Sequence, residues 1–145
     1  MPVRTIYTLG TSILSQEEFI NLLKLYRIKR IIDVRRFPTS RWEHFKKKNL
    51  QEILKKEGIS YIYLGKELGG FRKGGYQEYM KTDFYRQGIE KLERSATSNF
   101  TAILCAEKVP WRCHRQFIAK TLSKKGWRIV HVIDQKRVWK IPPQS

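Results

Sequence analysis

Cysteine, histidine and acidic side chains are all scarce here: two cysteines, three histidines and thirteen Asp plus Glu among 145 residues. Two cysteines do not make a disulfide framework, so a small stapled secreted scaffold is excluded and a reducing, cytoplasmic setting is expected. No apolar run approaches the roughly 18 residues of a membrane-spanning helix, and no hydrophobic leader opens the sequence. Neither membrane insertion nor secretion is therefore expected. Repeats, low-complexity tracts and linkers are also missing. With 41% hydrophobic and 12% aromatic residues, the chain suits one packed domain. A single α/β domain over residues 1–141 and a short tail at 142–145 is the expected organisation.

The shortage of acids leaves a large positive excess. Thirty Lys plus Arg give a net charge of +17, more than solubility requires. Residues 27–60 hold eleven basic against four acidic side chains, and residues 100–145 hold ten against two. An excess gathered into two blocks points to a polyanionic partner, nucleic acid first and DNA ahead of RNA.

Hydrophobic patterning alternates between two kinds of segment. "RTIYTLG", "RIIDV", "SYIYLG", "FTAILCA" and "RIVHVI" read as strands, the fourth being apolar enough for a central strand covered on both faces. "SQEEFINLLKLYR" reads as a helix opened by a capping box of Ser15 and Glu18. "NLQEILKKEG" reads as a helix capped by Asn49, with "YQEYMK", "DFYRQGIEKLERS" and "HRQFIAKTLSKKG" as further helices. "RVWKI" follows a turn. The pattern predicts a three-layer α/β sandwich with a mainly parallel sheet of about five strands and a possible antiparallel edge strand. Ligands in such folds bind beyond the carboxyl ends of the strands. Four chemically interesting segments follow strands here: Thr8–Ser12, Asp33–Arg36, Gly65–Arg72 and Cys105–Arg115.

"DVRRFPTSR" places Asp33 at the end of an apolar strand, where an unpaired carboxylate is costly. Strand alternation puts Arg35 on the same side, able to pair with it. Arg36 and Arg41 remain for phosphate, and Phe37 and Trp42 add stacking faces beside them. "GKELGGFRKGGY" holds two Gly-Gly pairs and reads as a connecting loop or a closing lid carrying Glu67, Arg72, Lys73 and Tyr76.

"CAEKVPWRCHR" offers three chemistries. A phosphatase-like thiolate loop fits poorly, since six residues separate Cys105 from Arg112 where that arrangement has five, and Pro110 removes an amide donor. A zinc site built from Cys105, Cys113 and His114, with Glu107 as fourth ligand or base, departs from the known spacings. A metal-free nucleic-acid site uses the remaining features: Glu107 and His114 as acid–base groups, Arg112 and Arg115 on phosphates, and Trp111 against a base. Asp33 then supplies a second carboxylate beside a scissile glycosidic bond.

Over nearly the whole chain, "TLGTS", "EEFINLL", "IIDVRRFPTSR", "LGKELGG", "GGYQEYM" and "ILCAEKVPWRCHRQFIA", in that order, resemble the DUF488 family. The resemblance implies an α/β fold with a parallel sheet and names no reaction. That family's first motif usually reads Gly-His-Ser, whereas this chain has Gly10-Thr11-Ser12, so a mechanism that needs that histidine does not carry over.

The expectation is therefore an enzyme of the DNA-repair type, acting on a damaged base or sugar by N-glycosylase or lyase chemistry. Asp33, Glu107 and His114 are its catalytic candidates. Arg35, Arg36, Arg41, Trp42, Arg72, Tyr76, Trp111, Arg112 and Arg115 are its nucleic-acid contacts, with no metal or cofactor. The alternatives are a non-catalytic nucleic-acid-binding module and a metal- or thiol-dependent hydrolase of small molecules.

Overall fold

A computed structural model describes residues 4–11, 14–36, 46–70, 72–107 and 113–144. Six strands form one sheet: β1 (Thr5–Gly10), β2 (Arg30–Asp33), β3 (Ser60–Tyr63), β4 (Thr101–Cys105), β5 (Arg128–Val132) and β6 (Val138–Ile141). Their spatial order is β3-β2-β4-β1-β5-β6. All neighbours are parallel except β5 and β6, so the edge strand is antiparallel as the turn before "RVWKI" suggests. Central β4 is buried at every residue, which is why its sequence is continuously apolar instead of alternating.

Helices cover both faces. On one side lie α1 (Gln16–Leu25) and α2 (Lys47–Lys56), whose Phe19, Leu22, Leu23, Leu50 and Leu54 pack on Leu9, Ile31, Leu104 and Val132. Full burial of Leu50 and Leu54 contributes about 1.5–3 kcal/mol each. On the other side lie the short α3 (Gly65–Leu68), α5 (Asp83–Ala96) and α6 (Arg115–Lys124), packed on Ile6, Ile32, Ile103 and Ile129. A single turn, α4 (Tyr76–Tyr79), precedes α5. Among the described residues, no helix is long and apolar enough to cross a membrane.

The Ser15–Glu18 capping box is present, each side chain bonding the other residue's backbone N–H at 3.1 Å. The second helix starts earlier than Asn49: its N-cap is Lys46, without a side-chain cap bond, because Lys47 and Lys48 are ordinary helix formers and nothing stops the helix before them. Residues 65–70 are no free lid. They fold into α3 and pack hard against the end of β2, where a Cβ at Gly65 would meet the Arg35 carbonyl oxygen at 2.1 Å. Gly88 likewise lets α5 approach α3, since a Cβ there would sit 2.7 Å from the Glu67 Cβ. The tail is tied down, with Ser123 Oγ donating to the Pro142 carbonyl at 2.8 Å and Gln144 N–H to Ser123 at 2.9 Å.

Candidate functional site

The chain leaves β1 toward α1 on one face of the sheet and leaves β4 toward α6 on the other. These strands are adjacent, so the crevice between their carboxyl ends is the topological switch point, the usual ligand position in such sheets. Thr11 N–H closes the base of that crevice by donating to the Cys105 carbonyl at 2.8 Å.

Both cysteines lie there. Cys105 ends β4 and is fully buried; Cys113 immediately precedes the helix-opening His114 and is 8% exposed. Their sulfurs are 2.7 Å apart, and both thiols are free. Two thiols so close do not both ionise readily, so the pair holds one proton between a donor and an acceptor. Burial pushes the Cys105 thiol well above its ordinary range, and it keeps its proton. The hydrogen bond with Cys105 is the main influence lowering the Cys113 pKa; burial opposes the shift and His114 and the Arg115 amide add to it. The amide donates to Cys113 Sγ at 3.5 Å, and α6 directs its positive end at the same atom. Of the two thiols, Cys113 is the one whose surroundings favour the anion.

His114 is oriented by the sheet. Its Nε2 lies 2.9 Å from the Val34 carbonyl, which can only accept, so Nε2 carries a proton and Nδ1 faces Cys113 Sγ at 3.6 Å. The ring sits between Gly70, where a Cβ would stand 3.1 Å from Nδ1, and Tyr76, 5.4 Å away between centroids. Tyr76 stacks on Phe117 and donates to the Leu68 carbonyl at 2.6 Å; burial raises its pKa. Its ring walls the site, and its hydroxyl ties α3 to α4. Arg115, fully buried, sets a positive charge near Cys105 and His131; burial nonetheless raises the Cys105 pKa, and burial first, then Arg115, lowers that of His131. Glu107 is exposed just beyond β4, its carbonyl 3.7 Å from Cys105 Sγ.

Asp33 stands on the opposite face. It is level with Leu104, on the α1/α2 side, whereas Cys105 faces α5 and α6. Its carboxylate is fully buried and accepts from Arg35 Nε and Nη2 at 2.9 Å, from the Arg35 amide at 3.1 Å and from Tyr61 Oη at 2.5 Å. Arg35 is itself 4% exposed. The structure thus brings Glu107, His114, Arg115 and Tyr76 around the thiols and sets Asp33 and Arg35 apart as a closed ion pair. Arg36 reaches the Gly70 carbonyl at 3.5 Å beside the site. Arg72 pins the glycine-rich segment, donating to the Gly69 and Lys66 carbonyls and lying 3.9 Å over the Tyr79 ring.

Phe37, Arg41, Trp42, His44, Trp111 and Arg112 fall outside the described residues. Among the described residues, no three His, Cys, Asp or Glu side chains are grouped to share a metal ion. Sequence reasoning tested both cysteines against a phosphatase-like spacing, which neither Cys105 nor Cys113 meets, and set the thiols aside. The signal was a cysteine followed by histidine and arginine where a helix begins, three features that each favour a thiolate. Tyr61 on Asp33 and His131 beside Thr8 were also missed; each pairing is made across strands and leaves no local pattern.

Known proteins place the chain by family. A family model matches residues 15–122, from the N-cap of α1 to the last turn of α6, and its description is "Domain of unknown function DUF488". No curated protein matches the chain.

Proposed function

This chain belongs to the DUF488 family, and we propose that it is an enzyme acting on nucleic acid through the thiolate of Cys113. The family's description assigns no reaction, so the reading rests on this chain's own residues. The observation that carries it is a cysteine favoured as its anion at the start of α6, in the switch-point crevice of a protein with net charge +17. The thiolate is the attacking form of cysteine, and the charge suits a polyanionic substrate.

A damaged nucleotide extruded from its stack is the substrate the reading names. The Cys113 sulfur donates an electron pair to C1′ of the sugar, the glycosidic bond breaks, and the departing base takes that bonding pair. His114, protonated at both ring nitrogens beside the thiolate, delivers its Nδ1 proton to the base and keeps the Nε2 proton on the Val34 carbonyl. Water then attacks C1′ and gives a proton to His114 Nδ1, the carbon–sulfur bond breaks with its electron pair returning to sulfur, and both the thiolate and the protonated ring are restored. Cys105 keeps its proton throughout and supports the thiolate in its resting form. A second reading gives the departing base's cationic sugar to a carboxylate instead. Glu107, exposed at the carboxyl end of β4, favours it.

The test incubates the protein with end-labelled oligonucleotides carrying uracil, oxidised bases or abasic sites, with and without alkali. Covalent products are followed by mass spectrometry. Alkali-dependent strand breaks that vanish in Cys113→Ser, with an adduct on the Cys113 peptide of the wild type, are the expected result. Loss in Glu107→Gln with retention in Cys113→Ser selects the carboxylate reading. Salt-sensitive binding without breakage or adduct leaves a binding module and overturns both.

A further inference from the structure

At the amino ends of the strands, opposite the thiols, a cleft of about 800 Å³ opens beneath the turns that lead into β1, β2, β4 and β5. Its chemistry is one-sided. Arg4, Arg27 and Lys29 line it, all exposed, and among the described residues no aspartate or glutamate does. Ser98 and Asn99 add uncharged polar groups. Phe100, at the mouth, is 53% exposed, although it leads directly into the fully buried β4. The Arg4 guanidinium lies 4.5 Å over the ring of buried Trp127, which holds that cation at the cleft wall. Arg27 occupies a left-handed backbone position at φ +57°, where glycine is at ease and arginine is not. The turn after α1 thus places a cation at a position where a strain-free residue would carry none.

Cations around an exposed aromatic face are the elements that bind an unpaired strand, with phosphates on the charges and a base on the ring. A cleft of this size receives a few linked nucleotides; a duplex instead presents grooves that protein elements enter. We propose that the amino-edge cleft is a second nucleic-acid site that holds single-stranded DNA or RNA, with phosphates on Arg4, Arg27 and Lys29 and a base stacked on Phe100. The proposal is independent of the thiol chemistry, from which it is separated by the length of the strands. A strand held here is anchored away from the reactive crevice, so the two sites together define a longer footprint than either alone.

The test is fluorescence anisotropy with a labelled oligothymidylate of about twelve nucleotides, long enough to span one binding groove. Affinity is measured between about 50 and 200 mM salt, because each neutralised phosphate of a single strand adds about 0.7 to the slope of log affinity against log salt. The double variant Arg27→Gln, Lys29→Gln is expected to lower that slope by about 1.4. Phe100→Ala is expected to weaken binding roughly tenfold with the slope unchanged, as the loss of one stacked base. The control Lys55→Gln, Lys56→Gln removes two exposed cations from α2 and is expected to change the slope less. An equal change in that control, or none in the Arg27 and Lys29 variant, overturns the site. An unchanged affinity in Phe100→Ala, or displacement by polyglutamate as effective as by unlabelled strand, shows a general polyanion surface and overturns it as well. Thermal melts of each variant confirm folding; the side chains of Arg27, Lys29, Lys55, Lys56 and Phe100 are all exposed.

Discussion

Two buried polar clusters stand on opposite faces of the sheet at its carboxyl edge, and they are built in opposite ways. Asp33 on the α1/α2 face accepts four hydrogen bonds, from Arg35 and Tyr61, and its charge is matched within the cluster. The Cys113 anion on the α5/α6 face is favoured by a thiol, a histidine and an amide. A carboxylate so fully engaged has little capacity left for a substrate, and moving it would expose an uncompensated arginine. A thiolate whose histidine and amide contacts are 3.5–3.6 Å long retains an electron pair for reaction. The contrast separates a charge that stabilises the fold from one poised for chemistry, although both lie just beyond strand ends in a basic chain.

The sharpest way to break the comparison is at Asp33. Asp33→Asn removes one partner of a buried ion pair and leaves Arg35 4% exposed with its charge unmatched, so a loss of about 3–5 kcal/mol is expected. Denaturant titration reads this directly. Activity, where measured on the fraction that remains folded, is expected to stay at the wild-type level. Loss of activity in fully folded Asp33→Asn would return this carboxylate to the reaction and dissolve the distinction.

Cys113 supplies the next largest effect. An ordinary thiol, near 8.5, loses roughly a hundredfold in alkylation rate between pH 8 and pH 6 as its thiolate disappears. The pKa of Cys113 is lowered, first by the Cys105 thiol and further by His114, so its thiolate persists across that interval. Iodoacetamide modification of the folded protein, followed peptide by peptide, is expected to be nearly flat with pH at Cys113 and absent at fully buried Cys105. A Cys113 rate that falls with pH like that of a free thiol would remove the thiolate. Replacing Cys105 with alanine takes away the donor and is expected to bring back a part of that pH dependence.

The layers, the parallel sheet and the antiparallel edge were legible because periodicity is local: "TAILC" has no polar face to offer, and Ser15–Glu18 announce their helix in four residues. The Asp33–Arg35 pair was legible for the same reason, since alternation alone puts both on one side. What alternation could not tell was which side. Whether Asp33 faces the same layer as Cys105 depends on the register of β2 against β4, and that register sets Asp33 beside Leu104. One residue of offset is the difference between a shared site and two separate ones. Close packing was equally hidden: glycines at 65, 69 and 88 read as loop freedom and a helix weakness, whereas α3 uses them to reach the end of β2 and to touch α5.

His131 gives the smallest and most discriminating effect, because it is a third solution to burying a titratable group. It is fully buried in β5, its Nδ1 2.5 Å from Thr8 Oγ1, and among the described residues its Nε2 meets no hydrogen-bond partner. Asp33 is buried charged and matched; His131 is buried neutral. Burial, with the nearby Arg115 charge second, lowers its pKa from 6.5 to about 3. The unfolded chain takes up a proton on this ring as pH falls below about 6.5, and the folded chain does not until near 3. The unfolded state therefore binds more protons in that window, and stability falls with falling pH through it, by about 2 kcal/mol at pH 5 relative to pH 7.5. Urea titrations at the two pH values are expected to show this loss in the wild type. His131→Asn, which keeps a polar group toward Thr8 but cannot be protonated, is expected to remove it while leaving the acid sensitivity that carboxylates contribute at lower pH. If the loss between pH 7.5 and 5 is the same in the variant, the ring is solvated or charged in the fold. The α5/α6 face would then be wetter than a shielded thiolate requires.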